Sequence, residues 1–166
     1  HASVNANLPN FICGDIRLEW DWVKPAIEAI LQEQPKLTYR PEDVYANCVN
    51  GSAILMVVGQ TKFVVAETII DPFTNKKTLN IWVAWVAPEH RTGNDTETYL
   101  PFFETMGLDL GCTYVQCSTN KPSLGRLYTS IGWELKTQIY SRDLRQVFSF
   151  LTDDHEQNTI NSGDTS

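Results

Sequence analysis

The sequence predicts a mixed α/β fold of the α+β kind, a mainly antiparallel sheet flanked by helices. Three observations predict it. Two amphipathic helical stretches come before any strand, three strand-like runs follow with hairpin-type turns between them, and helices then alternate with single strands toward the C-terminus. A sheet built first from hairpins and extended later through helical crossovers belongs to that class. With 166 residues the chain holds one domain and a tail. We expect residues 1–151 to form the domain and residues 152–166 an acidic tail.

The first dozen residues are polar and contain a proline, as in a loose arm or a short edge strand. A helix is expected over residues 21–33, where Val23, Ala26, Ile27, Ile30 and Leu31 repeat at the spacing of one buried face. Pro25 then falls in the first turn, where a missing N–H costs nothing, and Pro35 closes the helix. A second helix opens at Pro41, with Glu42 and Asp43 on its positive end, Val44, Tyr45, Cys48 and Val49 as its apolar stripe, and Gly51 as its cap.

Strands are expected over residues 53–58, 62–71 and 79–87. Gly59-Gln60-Thr61 joins the first two as a hairpin, and a longer turn from Asp71 to Asn75 precedes the third. In the third run both alternating sets are apolar: Leu79, Ile81, Val83 and Trp85 on one side, Trp82, Ala84 and Val86 on the other. Such a strand reads as a central one covered on both faces, and Pro88 stops it. A third helix is expected over residues 98–110, a short strand over 114–118, and a fourth helix from Pro122 bearing Leu124, Leu127, Tyr128 and Ile131. Residues 133–140 read as a strand, and Asp143 caps a last helix bearing Leu144, Val147, Phe148 and Leu151.

The net charge of -7 disfavours nucleic acid and anionic membrane surfaces, which would repel the chain. Four acids and no base after Leu151 put -4 in the tail and leave -3 for the body. No apolar run approaches the roughly 20 residues of a membrane span. The tail has the composition of a solvated segment, so a homo-oligomer or larger assembly is what would order it. No signal peptide is visible, and the start at His1 in place of Met points to processing or a residue left by expression. Cys13, Cys48, Cys112 and Cys117 form no C-x-x-C pair and lie near no His at zinc spacing, so no metal site is expected and free core thiols are.

Three short stretches carry a resemblance. Val86-Ala87-Pro88-Glu89-His90-Arg91 follows the third strand. Asn120-Lys121-Pro122-Ser123 precedes Leu127-Tyr128 on the fourth helix. Gly132-Trp133-Glu134 leads to Ile139-Tyr140-Ser141-Arg142-Asp143-Leu144. In that order and separation, over about residues 41–144, the chain resembles the GNAT superfamily of N-acetyltransferases. The resemblance implies acetyl-CoA as cosubstrate and an amine, on a small molecule or a protein, as acceptor. It places a cofactor-binding backbone at the end of the third strand, at Val86 and Ala87, continuing through Arg91, Gly93 and Asn94, with Asn120 helping to orient cofactor or substrate. It makes Tyr128 the acid that protonates the departing thiolate, a phenol being suited to that task; the alternative for Tyr128 is a core aromatic, and for Asn120 a turn residue. It also implies a cytoplasmic enzyme.

A general base is expected at Glu67, with Glu89 and His90 as further candidates. Glu67 shares a strand face with Phe63, Val65 and Ile69, where burial raises a carboxyl's pKa. The alternative is a carboxylate standing in water, and in many members of the family water itself takes the proton. We expect the slot for the pantetheine arm to open where the third strand breaks, after Ala87.

One stretch departs from the family pattern. The phosphate-binding turn reads roughly Arg/Gln-x-x-Gly-x-Gly/Ala in the family, but here Arg91 is followed by Thr92-Gly93-Asn94-Asp95-Thr96-Glu97. Asn94 and Thr96 take the glycine positions, and Asp95 and Glu97 bring negative charge where a diphosphate belongs. Pro101 pushes the expected helix start to Thr98. Two readings follow. The first is an acyl-CoA-dependent N-acetyltransferase, its acidic body steering a cationic acceptor such as a polyamine, lysine side chain or aminoglycoside. The second is a catalytically inactive module of the same fold, like the divergent members carried by phages, some of them virion components. A small-ligand binder on another α+β fold is the third.

Overall fold

The computed structural model describes residues 10–147. They fall in two compact units divided between Ser118 and Thr119. The first unit holds a five-stranded sheet of order β1-β2-β3-β4-β5: β1 (Ile12–Cys13), β2 (Ala53–Val58), β3 (Lys62–Ile70), β4 (Lys77–Val86) and β5 (Tyr114–Cys117). All neighbours are antiparallel except β4 and β5, which run parallel. Helices α1 (Ile16–Glu33) and α2 (Pro41–Val49) lie between β1 and β2 in sequence, and α3 (Asp95–Asp109) crosses from β4 to β5. The second unit contains α4 (Pro122–Ser130).

The hairpin of β2 and β3 forms as its turn chemistry dictates. Gly59 sits at φ 51°, a left-handed conformation that glycine adopts without penalty, and Thr61 bonds back to the Val58 carbonyl. The register sets Leu55 opposite Val65 and Val57 opposite Phe63, and on β4 Val83 and Trp85 continue the row. These side chains meet Val23, Ala26 and Ile27 of α1 and Val44 of α2 in one core, with Trp20, Trp22, Trp82 and Trp85 packed around it. Side chains alternate in a strand, so Val64, Ala66, Leu79 and Ile81 face the other way. On that side α3 presents Leu100, Phe103 and Gly107, and Phe11 packs against Phe102 and Phe103.

Three elements differ from expectation for identifiable reasons. Helix α1 starts at Ile16, five residues early, because Asp15 caps it: the carboxylate accepts the Arg17 N–H at 3.0 Å. Pro25 therefore lies well inside the helix, not in its first turn. Helix α3 starts at Asp95, not Thr98, and encloses Pro101; Thr98 donates its N–H to the Asn94 carbonyl at 3.1 Å, closing the first turn. Residues 133–140 form no strand. Although Leu135 and Ile139 alternate as a strand would, no ladder partner pairs with them among the described residues, and both are exposed.

Strand β4 is an interior strand between β3 and β5 with helices on both faces, as expected, and it also carries an irregularity. Val65 pairs with Val83, but the next residue, Ala66, pairs with Ile81, so Trp82 is an extra residue in β4. This β-bulge turns Trp82 toward the same core as Val83 and Trp85, where Tyr39 meets its ring edge-on. The apolar run in both phases reflects that bulge. At the C-terminal end, Asp143 accepts the Arg145 N–H and residues 144–147 are helical as expected. The rest of that helix and the acidic tail lie outside the described residues, as do residues 1–9.

The four cysteines are free thiols of unequal access: Cys13 is exposed, Cys48 and Cys117 are half-buried and Cys112 is buried. Burial, with a smaller contribution from Cys13, pushes the Cys48 thiol up to about 11. The thiolate is the reactive form. Peptide mapping after brief alkylation at neutral pH is expected to find Cys13 modified well before Cys48; equal modification of the two would contradict this packing of α2.

Candidate active site

The bulge does more than repack a tryptophan. β4 pairs with β5 only from Thr78 opposite Tyr114 to Ile81 opposite Cys117. Beyond Ile81, β4 runs on to Val86 with β3 on one side and, among the described residues, no strand on the other. The sheet therefore forks at the bulge, five residues before the break expected after Ala87. One edge of residues 82–86 is left with peptide groups outside the ladder.

Which groups face that edge follows from the ladder. Ala87 donates its N–H to the Thr61 carbonyl at 2.7 Å and is buried, so it points toward β3. In an antiparallel pair successive residues point alternately toward and away from the partner. Val86 and Ala84 thus turn their peptide groups to the open edge. Of the two strand-end residues expected to bind cofactor, Val86 turns its peptide group to the open edge and Ala87 turns its N–H to the β2-β3 turn. Arg91 confirms the direction in which Val86 points, its Nε donating to the Val86 carbonyl at 3.0 Å.

The turn after β4 brings Arg91, Gly93 and Asn94 together, all exposed. Gly93 sits at φ 86°, which reserves the position for glycine, although it is out of phase with the family pattern. Asp95 dominates the turn. Its carboxylate accepts the Thr92 N–H at 3.0 Å and lies 3.4 Å from the Thr92 hydroxyl and 4.0 Å from the Lys62 ammonium. The Asp95 side chain is only 17% exposed. Lys62 pairs in register with Val86, so this cluster stands at the mouth of the open edge.

Glu67 occupies the other end. It is half-buried and not isolated on an apolar face: Asn80 donates from Nδ2 to Glu67 Oε1 at 3.0 Å, and Gln116 donates from Nε2 to Asn80 Oδ1 at 3.2 Å. The three residues are register partners across β3, β4 and β5, one step before the fork. Each rung orients the next, leaving Glu67 Oε2 outside the ladder. Ile69, expected on the same face, is exposed. Asn80 and Gln116 escaped the sequence reading, yet an asparagine inside an apolar strand is unfavourable enough to be a signal.

Tyr128 and Asn120 belong to the second unit. Tyr128 lies on α4 and stacks on Trp133, ring centroids 5.5 Å apart, while its carbonyl accepts the Trp133 N–H at 2.9 Å. Gly132, at φ 92°, makes that reversal possible. Asn120 is exposed, just ahead of the residue that caps α4. Glu89 and His90 form an exposed 3-10 turn with Pro88. Among the described residues no cluster of His, Cys, Asp or Glu could hold a metal, and no helix is long and apolar enough to cross a membrane.

In comparisons with known proteins, no family model matches the sequence and no curated protein matches it. Solved structures do match in shape. A ribosomal-protein-alanine N-acetyltransferase from Brucella melitensis biovar Abortus 2308 superposes with a TM-score of 0.61 at 14% identity, over 81% of this chain and 99% of that one. A Trypanosoma brucei acetyltransferase gives 0.58 at 12%, over 81% and 98%. The chain has the GNAT fold. An integron cassette protein from the mobile metagenome of V. cholerae is also similar, with a TM-score of 0.57 at 15% identity over 83% of this chain and 96% of that one.

Within the GNAT fold the two ends of the open edge suit a cosubstrate such as acetyl-CoA unequally. The peptide groups at Ala84 and Val86 can bond the amides of a pantetheine arm. The turn does not fit a diphosphate. An anion at the Thr92 N–H would have to displace the Asp95 carboxylate, which also holds the Lys62 ammonium, and would still meet that carboxylate and Glu97 in the first turn of α3.

Proposed function

We propose that the chain is an N-acyltransferase that moves an acyl group, acetyl in the simplest case, from a thioester of the acetyl-CoA type to an amine. The observation that carries this reading is the fork in the sheet, which leaves the Ala84 and Val86 peptide groups on an open edge of β4, with the Glu67-Asn80-Gln116 ladder at the inner end of the opening. Backbone N–H groups fixed along that edge hold the pantetheine arm, and such a fixed donor also stabilises negative charge developing on a thioester oxygen. Glu67 Oε2, directly or through one water, takes the proton that the amine loses as its nitrogen bonds to the acyl carbon. The carbon–sulfur bond breaks, and Tyr128 is assigned, on its motif, to return a proton to the sulfur. An amide and a free thiol result. A cationic amine such as a polyamine or a lysine side chain suits the acidic chain, and a soluble, cytoplasmic setting suits such a substrate.

The Asp95-filled turn favours a second reading, a GNAT-fold module without catalysis, such as a virion component. Calorimetric melting with acetyl-CoA and with S-acetylpantetheine separates the two. A thioester present at about 100 times its dissociation constant stabilises the protein by about 2.7 kcal/mol, a clear rise in Tm. No rise with either compound at millimolar concentration would leave the module reading standing. With binding established, Tyr128→Phe is expected to slow thiol release at least tenfold while changing thioester affinity little; equal losses in both would make Tyr128 a packing residue.

A further inference from the structure

We propose that Asp95 sets how much of the donor this protein reads: recognition stops at the pantetheine arm, and the donor class is an acyl-pantetheine thioester whose diphosphate, where one is present, adds nothing to binding. The inference rests on the transferase reading above and narrows its substrate.

The geometry for it is specific. The N-terminus of α3 stands at the mouth of the open edge, because Asp95, its first residue, reaches Lys62, the register partner of Val86; on the transferase reading a donor seated along the edge would bring its phosphates there. Of the groups there that could serve an anion, the Thr92 N–H, the Thr92 hydroxyl and the Lys62 ammonium are directed at the Asp95 carboxylate, at 3.0, 3.4 and 4.0 Å, while Arg91 is engaged through Nε by the Val86 carbonyl. The carboxylate is largely buried, and it ties the start of α3 to the start of β3 opposite Val86. The protein has supplied its own anion to its own anion site. Glu97, two residues on in the same first turn, adds a second negative charge. By contrast, the hydrogen bonds and ion pair of Asp95 go to Thr92 and Lys62 and to none of the β4 peptide groups that a pantetheine arm would use. Val86, with its carbonyl held by Arg91 Nε, marks where the two regions meet.

Removing the charge without the shape is the test. Asp95→Asn keeps an oxygen for the Thr92 N–H and frees Lys62. Titration calorimetry on the full chain, with coenzyme A and with pantetheine as probes, reads the effect without turnover. Wild type is expected to bind the two within about threefold of each other. Asp95→Asn is expected to tighten coenzyme A at least tenfold and leave pantetheine unchanged, and adding Lys62→Met is expected to cancel the gain.

A wild-type preference for coenzyme A of tenfold or more overturns the proposal, as does an Asp95→Asn protein with wild-type Tm and an unchanged ratio. Should that variant fail to fold, the wild-type ratio decides alone. Failure of both probes to bind wild type overturns the transferase reading itself, and this one with it, which is a different result from a strong preference for coenzyme A.

Discussion

Glu67→Gln is expected to lower turnover at neutral pH about a hundredfold, at the lower end of what a positioned base contributes. Glutamine keeps the length of the side chain and the oxygen that accepts from Asn80 Nδ2, so the ladder to Gln116 survives. Only the capacity to take a proton is lost. Tm is therefore expected to stay near the wild-type value, and raising the pH, which deprotonates the amine in solution, is expected to narrow the deficit. Steady-state rates across pH with one amine acceptor check both. An unchanged rate would make Glu67 a structural rung and hand deprotonation to water.

The second large effect concerns the core that holds the fork in place. Phe63 is fully buried, its ring 5.7 Å from Trp22 on α1 and stacked 5.8 Å from Trp85 on β4. Phe63→Ala is expected to cost about 3–5 kcal/mol, the range for deleting a buried aromatic ring. Domains of this size typically hold only about 5–15 kcal/mol in total. The urea midpoint is expected to fall accordingly. A drop under about 1 kcal/mol would mean that α1 does not pack on this face of the sheet. Because the Trp85 ring loses the neighbour it stacks on, its fluorescence is expected to change in the folded variant as well.

How far the sequence could be read depended on whether the deciding interaction was local. Strand β2 and the start of β3 were legible because Gly59 and the alternation around it fix the hairpin within a few residues. Helix α2 was legible because Pro41 and Gly51 mark both of its ends. The start of α1 was not, since the apolar spacing of residues 23–31 is stronger than that of residues 16–22, and Asp15 acts as a cap only once Arg17 folds back on it. The bulge at Trp82 is invisible in one strand, being a mismatch between two. The ladder of Glu67, Asn80 and Gln116 draws one residue from each of three strands, so no window along the chain contains it. The acids after Arg91 were legible as a departure, but their engagement by Lys62, 33 positions earlier, was not. Residues 133–140 show the opposite failure, a clear alternation with no ladder to join.

The extra residue at position 82 also has a bearing on how such a chain could change over time. Deleting a single codon there would let β4 pair with β3 without interruption, leaving Ile81 opposite Ala66 and Leu79 opposite Thr68 as they are now and removing only the kink at which β4 parts from β5. The ladder would survive such an event, so what a small deletion most easily takes from this sheet is its fork and not its framework.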